Sequence, residues 1–163
     1  MRNPSKAKRK GKWFESTVAS MIAEAFSLTK NECHRATVSG ITSWEYGDIY
    51  IRDMPLIVEC KYHSTLDMRH LLQINNMVKK CWDQLQAAVE KYKKDFNVEP
   101  LPLLVVSKPY WPIFVITLKK DVISYLDDGY IVNGDYVIFF TDGFFKDTLP
   151  KLMAERGINN GKS

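Results

Sequence analysis

Two carboxylates and a lysine in the middle of the 163-residue chain have the side-chain types of a reactive site. Asp48 precedes a short apolar segment, and Glu59 and Lys61 flank a cysteine directly after the apolar residues 56–58. Charged residues that directly follow an apolar, strand-like segment are expected to be either functional or at the surface. Carboxylates can hold a divalent cation, and a lysine can stabilise charge that develops on a reacting phosphate.

A β-hairpin would bring these three side chains together. The spacing predicts that segments 48–51 and 56–61 are strands joined by the turn 52–55, in which Arg52 lies opposite Pro55 and Asp53-Met54 is a two-residue loop. In that register Asp48 lies directly opposite Glu59, with Cβ atoms roughly 4.5–5.5 Å apart. Lys61 comes two residues after Glu59 and therefore points to the same face. A slip of one residue would move Asp48 to the opposite face.

Two facing carboxylates repel each other, so a fold that keeps them is expected to hold a cation between them. Mg²⁺ suits the site, with Mn²⁺ as a substitute, because it often uses only one or two carboxylates together with water and phosphate. Glu15, on the inner edge of a predicted first helix, would add a ligand directly or through water. Lys61 would orient the attacking water or neutralise charge on the phosphate. The predicted chemistry is hydrolysis of a phosphodiester, and a solvated strand face with chance spacing is the alternative.

The N-terminal segment is strongly basic. The first twelve residues of the chain include six basic side chains and no acidic one. The positive charge of this segment therefore exceeds the net charge of the whole chain, which is +4. We predict that residues 1–11 form a flexible arm and that residues 12–163 form a single nuclease domain. A phosphate backbone is the expected partner of the arm, and a solubilising disordered tail is the alternative. The basic residues are Arg2, Lys6, Lys8, Arg9, Lys10 and Lys12.

Hydrophobic periodicity predicts helices over residues 13–26 and 76–96, and strands over residues 31–39, 48–51, 56–61, 103–107 and 113–118. A short helix near 120–126, a hairpin turn at 133–135 and a frayed terminal helix are expected to follow. The α-β-β-β-α-β order indicates an α/β fold with a central mixed β-sheet flanked by helices. We find no apolar run long enough for a membrane span, no secretory signal and no CxxC pair, and therefore expect a location in the cell interior.

The pattern around the acidic pair resembles the PD-(D/E)XK nuclease superfamily. It consists of Gly47-Asp48, ten intervening residues and Glu59-Cys60-Lys61, with Gly47 in place of the proline of the family. The resemblance implies a restriction-endonuclease-like core. Within the superfamily the chain is most similar to archaeal-type Holliday junction resolvases, including forms carried by viruses. These proteins have a basic stretch before a helix that bears a glutamate, an arginine on the first strand and a Ser-Gly loop. The matching residues here are 8–15, Arg35, Ser39 and Gly40.

This resemblance covers roughly residues 8–118, and no counterpart is assigned after Leu118. It implies that Ser39 lies close to the cleaved phosphate. The metal ligands that it implies are Glu15, Asp48 and Glu59, with Lys61 catalytic. The DNA contacts that it implies are Arg9, Lys10 and Arg35, to which the charge of the arm adds Lys8 and Lys12.

Two further features are open to more than one interpretation. A similarity to nucleases of viral genomes at Trp82-x-Gln84 makes Gln84 a candidate near the active site, and an ordinary polar residue on a helix flank is the alternative. Tyr110 and Trp111, in a loop between predicted strands, could stack on unpaired bases or pack against a dimer partner. Burial against the sheet is the alternative for both.

The predicted function is a Mg²⁺-dependent endodeoxyribonuclease that makes symmetric cuts in four-way DNA junctions. Such a junction has two-fold symmetry, so we expect a homodimer with two active sites. A virus-encoded protein acting inside a host cell fits the same resemblance. The alternatives are a nuclease that acts on flaps, ends or specific sites, a non-catalytic DNA-binding module of the same fold, and a partner protein in which the acidic pair is incidental.

Overall fold

The computed structural model describes residues 4–36, 44–126, 129–140 and 143–157. Two irregular turns accompany the regular elements. A 3-10 turn, Ile123–Tyr125, follows the helix that ends at Val122, and a π-helical turn, Phe144–Thr148, precedes the helix that begins at Leu149. The elements in chain order are α1 (Pro4–Phe26), β1 (Cys33–Arg35), β2 (Ile49–Ile51), β3 (Leu56–Tyr62), α2 (Met68–Gln73), α3 (Asn76–Phe96), β4 (Leu101–Ser107), β5 (Phe114–Leu118), α4 (Lys119–Val122), β6 (Tyr130–Asn133), β7 (Tyr136–Phe139) and α5 (Leu149–Glu155).

The main sheet has five strands in the order β3-β4-β5-β7-β6. Strands β3 and β4 are parallel, and the other neighbouring pairs are antiparallel. Parallel neighbours need a long crossover, which α2 and α3 provide between β3 and β4. The short strands β1 and β2 form a separate antiparallel pair. The predicted α/β fold, with a central mixed sheet flanked by helices, is confirmed.

Two hydrophobic layers cover the faces of the main sheet. On one face, Val58 of β3 packs in a cluster with Phe14 of α1 and Leu149 of α5. On the other face, Ile57 packs in a cluster with Trp82 and other residues of α3. Successive residues of β3 therefore point alternately to α1 and to α3, as the pleat of a strand requires. Within the described residues, no helix has the length and the apolar character that crossing a membrane requires.

The pairing of β2 differs from the predicted hairpin with β3. Strand β2 pairs with β1 instead, in a register that places Cys33 opposite Ile51. Within the described residues, the only bridge recorded from this region to β3 is an isolated parallel one between Gly47 and Val58. The predicted antiparallel register, with Asp48 directly opposite Glu59, is therefore wrong. Adjacency in sequence suggested the hairpin, whereas β2 forms its ladder with β1, and Gly47 and Asp48, which precede β2, contact β3 at Val58.

The basic N-terminal segment also differs from the disordered arm that we expected. Residues 4–11 form the first turns of α1, which continues without interruption to Phe26. Lysine, arginine and alanine are good helix formers, and the helix is anchored by Phe14, Val18 and Ile22, which are buried. The side chains of residues 6–10 are exposed, so the positive charge lies along a helix and faces solvent.

The C-terminal part is packed against the fold, whereas the sequence suggested a frayed helix. Phe144, Phe145, Leu149, Leu152 and Met153 are all buried in the cluster that contains α1. The predicted hairpin at 133–135 is confirmed, because β6 and β7 pair with Asn133 opposite Tyr136. The helix predicted over residues 76–96 is also confirmed, as α3 has these bounds.

Candidate active site

Strand β3 carries Glu59 and Lys61 on the face that α3 covers. Glu59 is paired in register with Leu104 of β4, a residue of the hydrophobic layer under α3. Glu59 and Lys61 both act electrostatically on the thiol of Cys81 in α3. Since β3 is an edge strand of the main sheet, the two polar side chains lie at a border of the hydrophobic layer, and both are partly exposed.

Asp48 reaches the edge of β3 through its backbone and its side chain. Its N–H donates a hydrogen bond of 2.8 Å to the carbonyl oxygen of Val58. Its Oδ2 accepts a hydrogen bond of 2.8 Å from the N–H of Cys60. The carbonyl oxygen of Asp48 accepts a third, also of 2.8 Å, from the N–H of Ala36. The acid is thereby fixed beside the residue that separates Glu59 from Lys61.

Gly47 makes this close approach to β3 possible. Its φ is +82°, and a Cβ atom there would lie 2.4 Å from the carbonyl oxygen of Val58. A proline, whose ring holds φ near about −65°, could not adopt this conformation. The glycine in place of the proline of the superfamily pattern therefore fits the local backbone of this chain.

The carboxylates disfavour each other's charge. The pKa of Glu59 is raised to about 8, first by burial and then by the nearby charges of Asp48 and Glu15, with Lys61 acting in the opposite direction. The pKa of Asp48 is raised by burial, against the effects of the Cys60 N–H and of Lys61. A cation placed among these groups would favour their charged forms.

Glu15 approaches this group from α1. Burial and the charge of Asp48 raise its pKa, while Arg35 and Lys12 lower it. A guanidinium nitrogen of Arg35, at the end of β1, lies 3.7 Å from Glu15 Oε2. Three acids and three cations, from α1, β1, β3 and the residue before β2, therefore lie near one another at this edge of the sheet.

The donor set fits a hard divalent cation, although the described residues include no group of three or more His, Cys, Asp or Glu side chains arranged to hold a metal. Mg²⁺ often takes one or two carboxylates and completes its shell with water and phosphate. Asp48 and Glu59 are the residues that would hold such an ion. Glu15 stays a predicted third ligand, directly or through water.

Ser39, Gln84 and four basic residues of α1 were also predicted to belong to the site. Ser39 falls outside the described residues. Gln84 is exposed on α3, three residues after Cys81. The remaining candidates lie on the exposed side of α1, and these are Lys8, Arg9, Lys10 and Lys12.

Sequence reasoning missed three contributions to the site. The backbone N–H of Cys60 leaves no signal in the sequence, because every residue type except proline has one. The positive φ of Gly47 could have been considered, since glycine favours such positions. Cys81 could have been found from the period of α3, because it precedes the predicted core residue Leu85 by four positions.

Comparison with known proteins identifies the family. No curated protein and no solved structure matches the chain. A family model described as "Phage putative PDDEXK endonuclease" matches residues 6–142. The match includes Glu15, Asp48, Glu59 and Lys61, and it extends past Leu118, where the resemblance seen in the sequence ended. Because the match covers well over half of its length, the chain belongs to this phage family of PDDEXK endonucleases.

Proposed function

We propose that the chain is a divalent-metal-dependent endodeoxyribonuclease with its centre at Asp48, Glu59 and Lys61. The observation that carries the proposal is the hydrogen bond from the N–H of Cys60 to Asp48 Oδ2. It fixes one acid beside the backbone of the residue between the other acid and the lysine. Membership of an endonuclease family supports the same reaction class.

Each side chain has a role that follows from its chemistry. Asp48 and Glu59 hold the cation, for which Mg²⁺ is the first choice and Mn²⁺ a substitute. When bound, the cation polarises the phosphate and lowers the pKa of a water. The ammonium of Lys61 donates hydrogen bonds to the attacking water or to a phosphate oxygen, and so stabilises the charge that develops there. Water attacks phosphorus and releases a proton to solvent, the bond from phosphorus to the leaving oxygen breaks, and that oxygen takes up a proton from solvent.

The surrounding residues position the acids and the DNA. Arg35 lies beside Glu15 and favours its charged form, against the effects of burial and of Asp48. We assign Ser39 and Gln84 to contacts near the cleaved phosphate. The exposed basic side chains of α1 bind the backbone of DNA through phosphate charge, and so without sequence preference. They are Lys8, Arg9, Lys10 and Lys12.

The substrate that we propose is branched DNA, with the four-way junction first. A homodimer would supply two centres for two symmetric cuts, since two-fold pairing is the commonest symmetry of protein oligomers. The similarity of residues 8–15, together with Arg35, to the junction resolvases supports this substrate. As a member of a phage family, the protein would act inside the infected cell.

The experiment is a comparison of a labelled four-way junction with linear duplex of the same sequence, at equal protein and Mg²⁺ concentrations. We expect paired symmetric cuts in the junction and little cutting of the duplex. Equal cutting of both substrates would overturn the junction assignment and leave a nuclease that acts on other DNA. No Mg²⁺-dependent cutting of either substrate would favour a non-catalytic DNA-binding module.

A further inference from the structure

A cleft of about 280 Å³ is lined in part by residues that directly follow Lys61 in the chain. Tyr62 and His63, the two residues after Lys61, line it together with Pro109 from the loop after β4. Lys6 and Lys10 of α1 line the opposite wall. The cleft thus lies between the basic start of α1 and the ends of the two parallel strands. We propose that it binds an unpaired DNA strand, whose bases stack on exposed aromatic rings at its border.

The charge of the cleft suits a nucleic-acid backbone. Lys6 and Lys10 are four residues apart on α1, so they are neighbours on one side of the helix, and both are exposed. Their ammonium groups can contact successive phosphates of a strand that follows the cleft. Since Tyr62 and His63 directly follow Lys61, a strand held here would lead toward the candidate active site.

Two aromatic rings at the border of the cleft are open to solvent. Trp13 is 57% exposed, although the next residue, Phe14, is buried in the core. Its ring meets Tyr62 edge to face, with centroids 5.8 Å apart. Tyr110 follows the lining residue Pro109 and is fully exposed. Tyr110 buries almost none of its surface, so the hydrophobic effect does not explain its position, and Trp13 leaves more than half of its surface open to solvent.

The backbone at Tyr110 is in the left-handed region, which also points to a functional position for its ring. Its φ is +67°, a conformation that non-glycine residues rarely adopt and that costs on the order of 1 kcal/mol. The next residue, Trp111, behaves differently, because it packs against Phe114 and lies under the ammonium of Lys108, 3.9 Å from its ring centroid. The loop therefore buries part of one aromatic side chain and presents the other to solvent.

A basic groove combined with exposed aromatic rings is the chemistry that proteins use for single strands. Bases within a duplex are already stacked on one another, so their faces are not available to Trp13 and Tyr110. The inference rests on the proposed function, and it specifies the kind of branched DNA that would bind best: one with an unpaired strand beside the branch point. A protein partner that packs on the same rings is the competing occupant.

The test is fluorescence anisotropy in EDTA, so that no DNA is cut, with labelled single strand, splayed fork and blunt duplex of one sequence. Tyr110→Ala is the main variant, because a fully exposed side chain can be removed without loss of packing. Trp13→Ala is the second variant. Tyr110→Phe keeps the ring, and Phe96→Ala removes an exposed aromatic from the end of α3, away from the cleft residues.

We expect Tyr110→Ala and Trp13→Ala each to weaken binding of the single strand and the fork by about tenfold, the size of one lost stacking contact. Binding of the blunt duplex should change by less than about twofold, because the bases of a duplex do not stack on these rings. Tyr110→Phe and Phe96→Ala should bind all three probes like the wild type. Unchanged binding of the single strand by the Trp13→Ala, Tyr110→Ala double variant would overturn the inference.

Two further results would also overturn it. One is an equal loss for duplex and single strand, which would indicate a general contact surface. The other is a monomeric Tyr110→Ala protein from an oligomeric wild type, which would assign the ring to a protein interface. Cutting of linear and branched DNA with Mg²⁺ by the same preparations reports separately on the proposed function, because stacking variants leave the acidic centre intact.

Discussion

The carboxylate of Asp48 accepts a hydrogen bond of 2.8 Å from the backbone N–H of Cys60. Asparagine keeps an acceptor oxygen at this position, whereas alanine leaves the N–H without its partner. We therefore expect Asp48→Asn to be at least as stable as the wild type, because it keeps the acceptor and removes a charge that burial disfavours. Asp48→Ala should be less stable by about 1–3 kcal/mol, the cost of a buried donor left unsatisfied. Urea unfolding of both variants in EDTA measures the difference, and equal stability of the two would contradict the structural role of this bond.

Lys61 should be required for cutting and not for binding. Lys61→Ala is expected to lower the cleavage rate by about 10²–10³-fold, the usual effect of losing a group that stabilises charge in the transition state. Its affinity for DNA, measured without metal, should stay within about twofold of the wild type, because most of the positive charge that binds phosphates lies on α1. Lys94→Ala, an exposed lysine near the end of α3, is the matched control and should leave the rate unchanged. If both variants cut like the wild type, Lys61 is not catalytic.

The stability of the metal-free protein should fall as pH rises through the window set by Glu59. Its pKa rises from an ordinary value of 4.5 to about 8 in the folded state. Between these values the unfolded chain has released the proton that the folded protein still holds, so deprotonation favours unfolding. The loss should develop between about pH 4.5 and 8 and then level off. The full shift would correspond to roughly 5 kcal/mol, but solvent screens the charge of the partly exposed Glu59, so we expect a loss on the order of 1–3 kcal/mol.

Thermal unfolding in EDTA across this pH range checks that expectation. Glu59→Gln should flatten the pH dependence and raise the melting temperature at pH 8 by several degrees, at roughly 2–4 °C per kcal/mol. Mg²⁺ should reverse the loss in the wild type and have less effect on the variant, because it binds the ionised carboxylates. Glu24→Gln, an exposed acid on α1, is the control. A pH profile that Glu59→Gln leaves unaltered would refute this explanation.

Gly47 and Gly157 form a matched pair for testing the close approach to β3. Both have φ +82°, but a Cβ atom would lie 2.4 Å from the Val58 carbonyl at Gly47 and would meet nothing within 4 Å at Gly157. Gly157→Ala should cost about 1–2 kcal/mol from the left-handed backbone alone. Gly47→Ala should cost clearly more and should also lower cleavage, since Asp48 is displaced. Chemical unfolding of both variants measures this, and equal losses would show that contact with Val58 is unimportant.

Strong periodicity made much of the fold predictable. The apolar stripe of α3 predicted its bounds, and alternation along β3 predicted that Glu59 and Lys61 share a face. These features depend on local pattern, which the sequence contains directly. The turn between β6 and β7 was predictable for the same reason, because glycine at position 134 favours its positive φ of 58°.

The relation between Asp48 and β3 was predicted for a reason that proved wrong. An antiparallel hairpin would have placed Asp48 opposite Glu59, but β2 pairs with β1, and Asp48 reaches β3 through a parallel bridge and its own side chain. Strand pairing depends on contacts between distant segments, which one sequence does not reveal. The helical start of α1 was missed because a run of charge suggested disorder, although its residues are good helix formers.

The most direct test of the central claim is Mg²⁺-dependent nicking of a labelled four-way junction by wild type and Asp48→Asn. We expect the wild type to cut only with a divalent cation. Asp48→Asn should be folded, should bind the junction and should cut at least about 10²-fold more slowly at every Mg²⁺ concentration. Cutting by Asp48→Asn at the wild-type rate, or cutting by the wild type in EDTA, would contradict that claim.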